Sequence, residues 1–164
     1  MSRFFKSAAF PILIVVVLAY FAQRLINTAI ETFGDLHAVI NNAGILRDRV
    51  LVNMTEQEWD AIMAVHLKGH FCISSHAVHY WRGQSKEGKA VDARIINTTS
   101  GAGLQGSIGQ SNYAVAKAGI AALTLNQAAE LVDITAGVEP TLQAILTALH
   151  PVIPFDGGEV NLFT

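Results

Sequence analysis

Tyr113 and Lys117 in "YAVAK" stand four residues apart, so on a helix both side chains rise from one face. A free phenol has a pKa of about 10 and exchanges protons poorly near neutrality. A neighbouring ammonium favours the phenolate and lowers that pKa, so the pair can shuttle a proton to or from an alcohol oxygen. Ser100 lies thirteen residues upstream, in "IINTTSGAG", and its hydroxyl can hydrogen-bond the same oxygen. The bland alternative for the spacing alone is a solvated helix face with an ordinary Tyr and Lys. The strand-end serine and a glycine-spaced loop over 101–109 argue for the chemical reading.

Such residues need a frame, and the flanking sequence supplies one. "RLINTAIETFG" has Leu25, Ile26, Ala29, Ile30 and Phe33 at helical spacing, with Gly34 as a natural C-cap. "LHAVI" (36–40) reads as a buried parallel strand running into "NNAG". "TEQE" has the capping-box pattern of Thr55 and Glu58. The helix it opens carries Trp59, Ile62, Met63, His66 and Leu67 on one face and is expected to run to Trp81. "GQSKEGKAVD" reads as a polar loop, "ARIINTT" as the next strand, and 111–131 as a final helix. Alternating helices and strands predict a parallel sheet with right-handed crossovers. Ligands bind beyond the carboxyl ends of such strands, here "NNAG" and "NTTS", expected side by side. After Leu131 only a short helix beyond Pro140 and a turn at Gly157-Gly158 suggest themselves.

The chain has 164 residues, enough for one domain with a real core. Its formal net charge of −2 leaves no basic footprint for nucleic acid. Cys72 is the only cysteine, which excludes an intrachain disulfide and a zinc ribbon. His66 and His70 are four apart, with His76 and His79 nearby, but no acidic or cysteine partner is spaced for a metal. Residues 7–22 are uncharged, follow Arg3 and Lys6, and are rich in β-branched side chains after Pro11. We read this run as a buried strand or helix, with a signal peptide or membrane anchor as the alternative. It is shorter than the roughly 18 residues a spanning helix needs. The expected location is the cytoplasm, with tethering through 7–22 as the other possibility.

"NNAG" at 41–44, Ser100, and "YAVAK" at 113–117 together resemble the short-chain dehydrogenase/reductase family. "NNAGILRDR" with "VHLKGHF" is similar, more particularly, to the (3R)-hydroxyacyl-CoA dehydrogenase modules of multifunctional β-oxidation enzymes. The resemblance covers about residues 24–131 and implies a partial Rossmann-like, doubly wound parallel sheet lacking the usual first βαβ unit. Residues 1–23 and 132–164 flank it as an apolar segment and a divergent segment. It implies that Ser100 polarises the substrate oxygen, Tyr113 is the acid/base, and Lys117 tunes the tyrosine and holds the nicotinamide ribose. Asn42, Ala43 and Gly44 would border the adenosine side of NAD or NADP and support the sheet. His66 stands where many members carry a catalytic-site asparagine; a packed helix residue beside Met63 and Trp59 is the equal alternative.

Two departures from the family pattern bear on activity. Residues 1–33 contain no glycine, so the glycine-rich loop that cradles a pyrophosphate does not precede "NNAG". After "AAEL" at 128–131 the sequence leaves the pattern, as a frame change or rearrangement would make it do. The expectation is therefore an oxidoreductase moving hydride between a nicotinamide cofactor and a secondary alcohol or ketone, 3-hydroxyacyl thioesters included. An inactive remnant or accessory subunit is the alternative. In either case helices 56–81 and 111–131 would pack against a second copy or a partner subunit of the family.

Overall fold

The computed structural model describes the backbone of residues 9–131 and 161–163, and the side chains of residues 19–131. Helix α1 spans Ala9–Phe33, so the β-branched run at 12–17 is helical and the strand alternative for it is corrected. Pro11, read as a strand entry, lies in the first turn, where a missing N–H breaks no helical bond. β-Branching costs only tenths of a kcal/mol per residue in a helix, too little to bar one. Farther along, Ala22 and Ile26 are buried and α1 packs on α3 (Gly69–Lys86). The helix ends as its sequence predicts: Gly34 adopts φ 84° and its N–H donates to the Ile30 carbonyl at 2.8 Å. Among the described residues no helix is long and apolar enough to cross a membrane.

Strand β1 (Ala38–Asn41) pairs in parallel with β2 (Arg94–Thr98), Asn41 standing opposite Asn97. The ends of "NNAG" and "NTTS" therefore lie side by side, as expected. A third strand, β3 (Asn161–Phe163), pairs antiparallel with the other edge of β2. No pattern in the sequence announced it. The rest of 132–164, including the helix expected after Pro140 and the Gly157-Gly158 turn, lies outside the described residues. Val39, Asn41, Ile95 and Asn97 are buried on one face of the sheet, whereas Ile40 is 67% exposed.

The helix predicted over 56–81 is three segments. Thr55 caps α2 (Glu56–Ile62) with the full capping box: its side chain accepts from the Glu58 N–H, and the Glu58 carboxylate accepts from the Thr55 N–H. A π-turn follows at Met63–Lys68, with the Gly69 N–H reaching back five residues to the Ala64 carbonyl. Then α3 continues past Trp81 to Lys86, since Gly83 is tolerated in a helix at about 1 kcal/mol relative to Ala. Gly88, at φ 77°, closes the turn after it. The Trp81 indole N–H donates to the Leu36 carbonyl at 2.7 Å, tying the end of α3 to the start of β1.

The glycine-spaced stretch after β2 is also more ordered than a loop. Residues Gly101–Gln105 form a short helix, α4, capped by Ser100 and ended by Gly106 at φ 76°. Gly103 permits α4 to lie on the backbone of α5 (Ser111–Leu131): a Cβ there would meet the Ala118 nitrogen at 2.7 Å. Among the described residues two apolar clusters result. One joins Ile26, Val39, Ala77, Trp81 and Ile95; the other joins Ile62, Tyr113 and Ala116 beneath the strand ends.

Candidate active site

Helix α5 begins beside the carboxyl end of β2 and sets the positions of Tyr113 and Lys117. Its first turn is fixed by Asn112, wholly buried, whose amide donates to the carbonyls of Arg47 and Glu58 at 3.1 and 3.3 Å. The Asn112 side-chain oxygen also accepts from the Tyr113 N–H at 2.8 Å. One turn on, the Lys117 carbonyl accepts from the Thr99 hydroxyl at 2.6 Å, locking helix to strand end.

Tyr113 is 9% exposed and Lys117 2%, which removes the solvated-face alternative. The Lys117 ammonium lies 5.5 Å from the Tyr113 ring centroid and donates to the Thr98 carbonyl at 2.7 Å. A buried cation so close to a phenol favours the phenolate more strongly than it would in water. Ser100 is buried at the end of β2, and its hydroxyl accepts from the Ala102 N–H at 3.3 Å as the N-cap of α4. That bond holds the hydroxyl oxygen in place while leaving its proton available to an acceptor.

His66 enters from the π-turn. Its ring meets the Tyr113 ring edge-on, centroids 5.2 Å apart at 89°. Its Nε2 lies 2.7 Å from the Ile45 carbonyl and 3.1 Å from the Ile45 N–H. The Gly44 backbone passes so close to this ring that a Cβ at 44 would overlap His66 Cε1. The packed reading of His66 holds: the side chain is buried, and what it packs is the tyrosine and the turn after β1. Asn42, Ala43 and Gly44 are exposed at that turn.

Sequence reasoning overlooked the residues that fasten this arrangement. Asn41 donates to Asn97 at 2.9 Å and to Ser74 at 3.0 Å, and Asn97 donates to Thr124 and Gln127 at 2.9 and 2.8 Å. The seam ties both strands to α3 and α5. Period-two alternation with Val39 and Ile95 was the available signal, since it assigns both asparagines to the covered face. His70, also buried, is pushed down to about 4, first by burial and then by the Lys117 charge.

The chain belongs to the short-chain dehydrogenase family, whose model matches residues 9–141. It is 54% identical over 112 residues to hydroxyacyl-CoA dehydrogenase ChsB1 of Mycobacterium tuberculosis, covering 67% of this chain and 35% of that protein. It is 41% identical over 101 residues to peroxisomal multifunctional enzyme type 2 of Mus musculus, covering 62% of this chain and 13% of that protein. The crystal structure of a short chain dehydrogenase from Mycobacterium avium superposes with a TM-score of 0.68 at 65% identity, over 69% of this chain and 39% of that one. The chain thus spans well under half the length of these relatives.

Proposed function

We propose that this chain is, or is the catalytic part of, an oxidoreductase that interconverts a secondary alcohol and a ketone, with 3-hydroxyacyl thioesters such as acyl-CoAs as the substrate class. The observation that carries the reading is the buried Tyr113–Lys117 pair, 5.5 Å from ammonium to ring, with Ser100 buried at the end of β2. The names of the relatives support the thioester substrate.

Short-chain dehydrogenases generally use NAD or NADP, which supplies or accepts the hydride when bound. The residues present suit it at two points: Lys117 and Tyr113 offer donors to the nicotinamide ribose, and Asn42, Ala43 and Gly44 offer small, exposed backbone for its adenosine side. Ser100 donates to the substrate oxygen and orients it. Tyr113 takes the alcohol proton during oxidation and returns it during reduction. Lys117 stabilises the phenolate between these steps. His66 holds the Tyr113 ring edge-on and the Gly44–Ile45 turn against it.

One observation favours the second reading, an inactive remnant or accessory subunit. The segment ahead of β1 is helix α1, and residues 1–33 have no glycine to bring backbone amides to a diphosphate. Each charge-assisted hydrogen bond forgone there is worth about 1.5–3 kcal/mol. A fluorescence titration with NADH and NADPH separates the two. Saturable binding, with turnover falling at least about 100-fold in Tyr113→Phe, upholds the enzyme; no binding up to about millimolar cofactor upholds the remnant. For assembly, the reading is a second copy or a family subunit docking on α2–α3 and α5.

A further inference from the structure

The segment that follows "NNAG" and the segment that leads into α5 run together beside the site. The Arg49 N–H donates to the Gly109 carbonyl at 2.7 Å, and the Gln110 amide donates to Asp48 at 2.9 Å. Asn112, the neighbour of Tyr113, donates to the Arg47 carbonyl at 3.1 Å. A Cβ on Gly109 would stand 4.0 Å from the Val50 nitrogen, so Ile108 and Val50 meet across this seam. The side chains it turns to solvent are apolar. Ile108 is 96% exposed and Val52 88%, and Leu46, Val50 and Leu51 are exposed with them. Leu104 is exposed on α4, the helix that Ser100 caps. No charged residue occurs over 50–55 or 95–116. Of the charges between, Arg49 pairs with Glu58 at 2.9 Å and Arg47 donates to the Leu46 carbonyl at 2.7 Å.

Single exposed hydrophobic residues are ordinary on a protein surface, but these six share one border of one site. They are too few for a stable protein interface, which uses roughly 20–30 residues a side. A strip of this kind suits an alkyl chain. In a 3-hydroxyacyl thioester that chain is bonded to the carbinol carbon itself, so it leaves the reacting oxygen across whatever surface borders it. We propose that the rim of Leu46, Val50, Leu51, Val52, Leu104 and Ile108 receives the alkyl chain of the substrate and sets a preference for long chains. The proposal rests on the reading of the chain as an acyl-thioester oxidoreductase.

The test is calorimetric titration of the full chain with 3-hydroxybutyryl-CoA and 3-hydroxyoctanoyl-CoA, without cofactor and again with NADH. The two compounds differ by four methylenes, each worth about fourfold in Kd where fully covered. The longer compound is expected to bind at least about tenfold more tightly. In Val52→Ser with Ile108→Ser that ratio should fall to within about twofold of unity, a general loss of affinity cancelling from it. Leu25→Ser, the loss of an exposed leucine on α1, should leave the ratio as it was. Equal affinities in the unmodified protein, no binding of either compound, or a ratio that the double variant keeps overturns the proposal. So does a ratio that Leu25→Ser lowers equally. Ultracentrifugation showing that the double variant splits a dimer while keeping the ratio assigns the rim to a second copy instead. Chain-length-dependent binding with no turnover and no NADH or NADPH binding upholds the rim and sinks the enzyme reading.

Discussion

His70 couples folding to pH through a single ring. Its folded pKa, about 4, lies below the ordinary value of 6.5, so the unfolded chain binds its proton first. Stability from this group is complete above about pH 6.5 and declines as pH falls through that value toward 4, below which it is flat. Urea unfolding between pH 7 and pH 4 should therefore show a declining limb that His70→Gln flattens; equal slopes in both proteins would refute the assignment. At this scale much of the site was legible. The helix brings the Lys117 ammonium to 5.5 Å from the Tyr113 ring, and Ser100 sits at the strand end expected of it. His70 and Asn112 were not legible, because a polar residue inside a helix gives no sign of burial until its partners are placed around it.

Elements were legible where local chemistry specifies them. The capping box at Thr55 and Glu58 and the glycine stop at Gly34 sit where their residues place them. Thr55→Ala should cost about 1 kcal/mol by chemical denaturation, in line with lost N-caps elsewhere. It should also alter the acid response. The Glu58 carboxyl is held down to about 2, chiefly by the Thr55 N–H and then by Arg49 and the Thr55 hydroxyl. Its contribution is whole above 4.5 and lost as pH falls through 2. Titration of the Glu58 carboxyl by NMR should find a higher midpoint in the variant; an unchanged one would mean the cap hydroxyl does nothing for it. The π-turn at 63–68 escaped the sequence because its one extra residue leaves the apolar spacing of Ile62, Met63 and His66 looking like plain helix. The strand reading of 12–17 failed for the opposite reason: β-branching is a weak preference, and it lost to a continuous helix.

The whole molecule is joined by a polar seam between two small apolar clusters. Asn41, Ser74, Asn97, Thr124 and Gln127 link both strands to α3 and α5 with no exposed member. Asn97→Leu removes the bonds that Asn97 makes to Asn41, Thr124 and Gln127; Asn41 keeps Ser74 and Thr124 keeps the Ile120 carbonyl, while each buried group left unsatisfied costs about 1–3 kcal/mol. It should lower the urea midpoint far more than Leu125→Ala, a change at a 38%-exposed position; similar midpoints would show that the seam adds nothing. The alternation of helices and strands made the parallel pair and its site end foreseeable, yet the edge strand β3 came from sequence without any strand signature. The described sheet also ends at β1, whose Ile40 is 67% exposed. An edge strand with an outward isoleucine is a template for another strand, so the protein's behaviour should depend on how much of it is present. Light scattering should rise with concentration at neutral pH, and Ile40→Lys should delay that rise severalfold while the melting temperature stays nearly fixed. The strand that aligns Asn41 for the site would then also set an upper limit on working concentration.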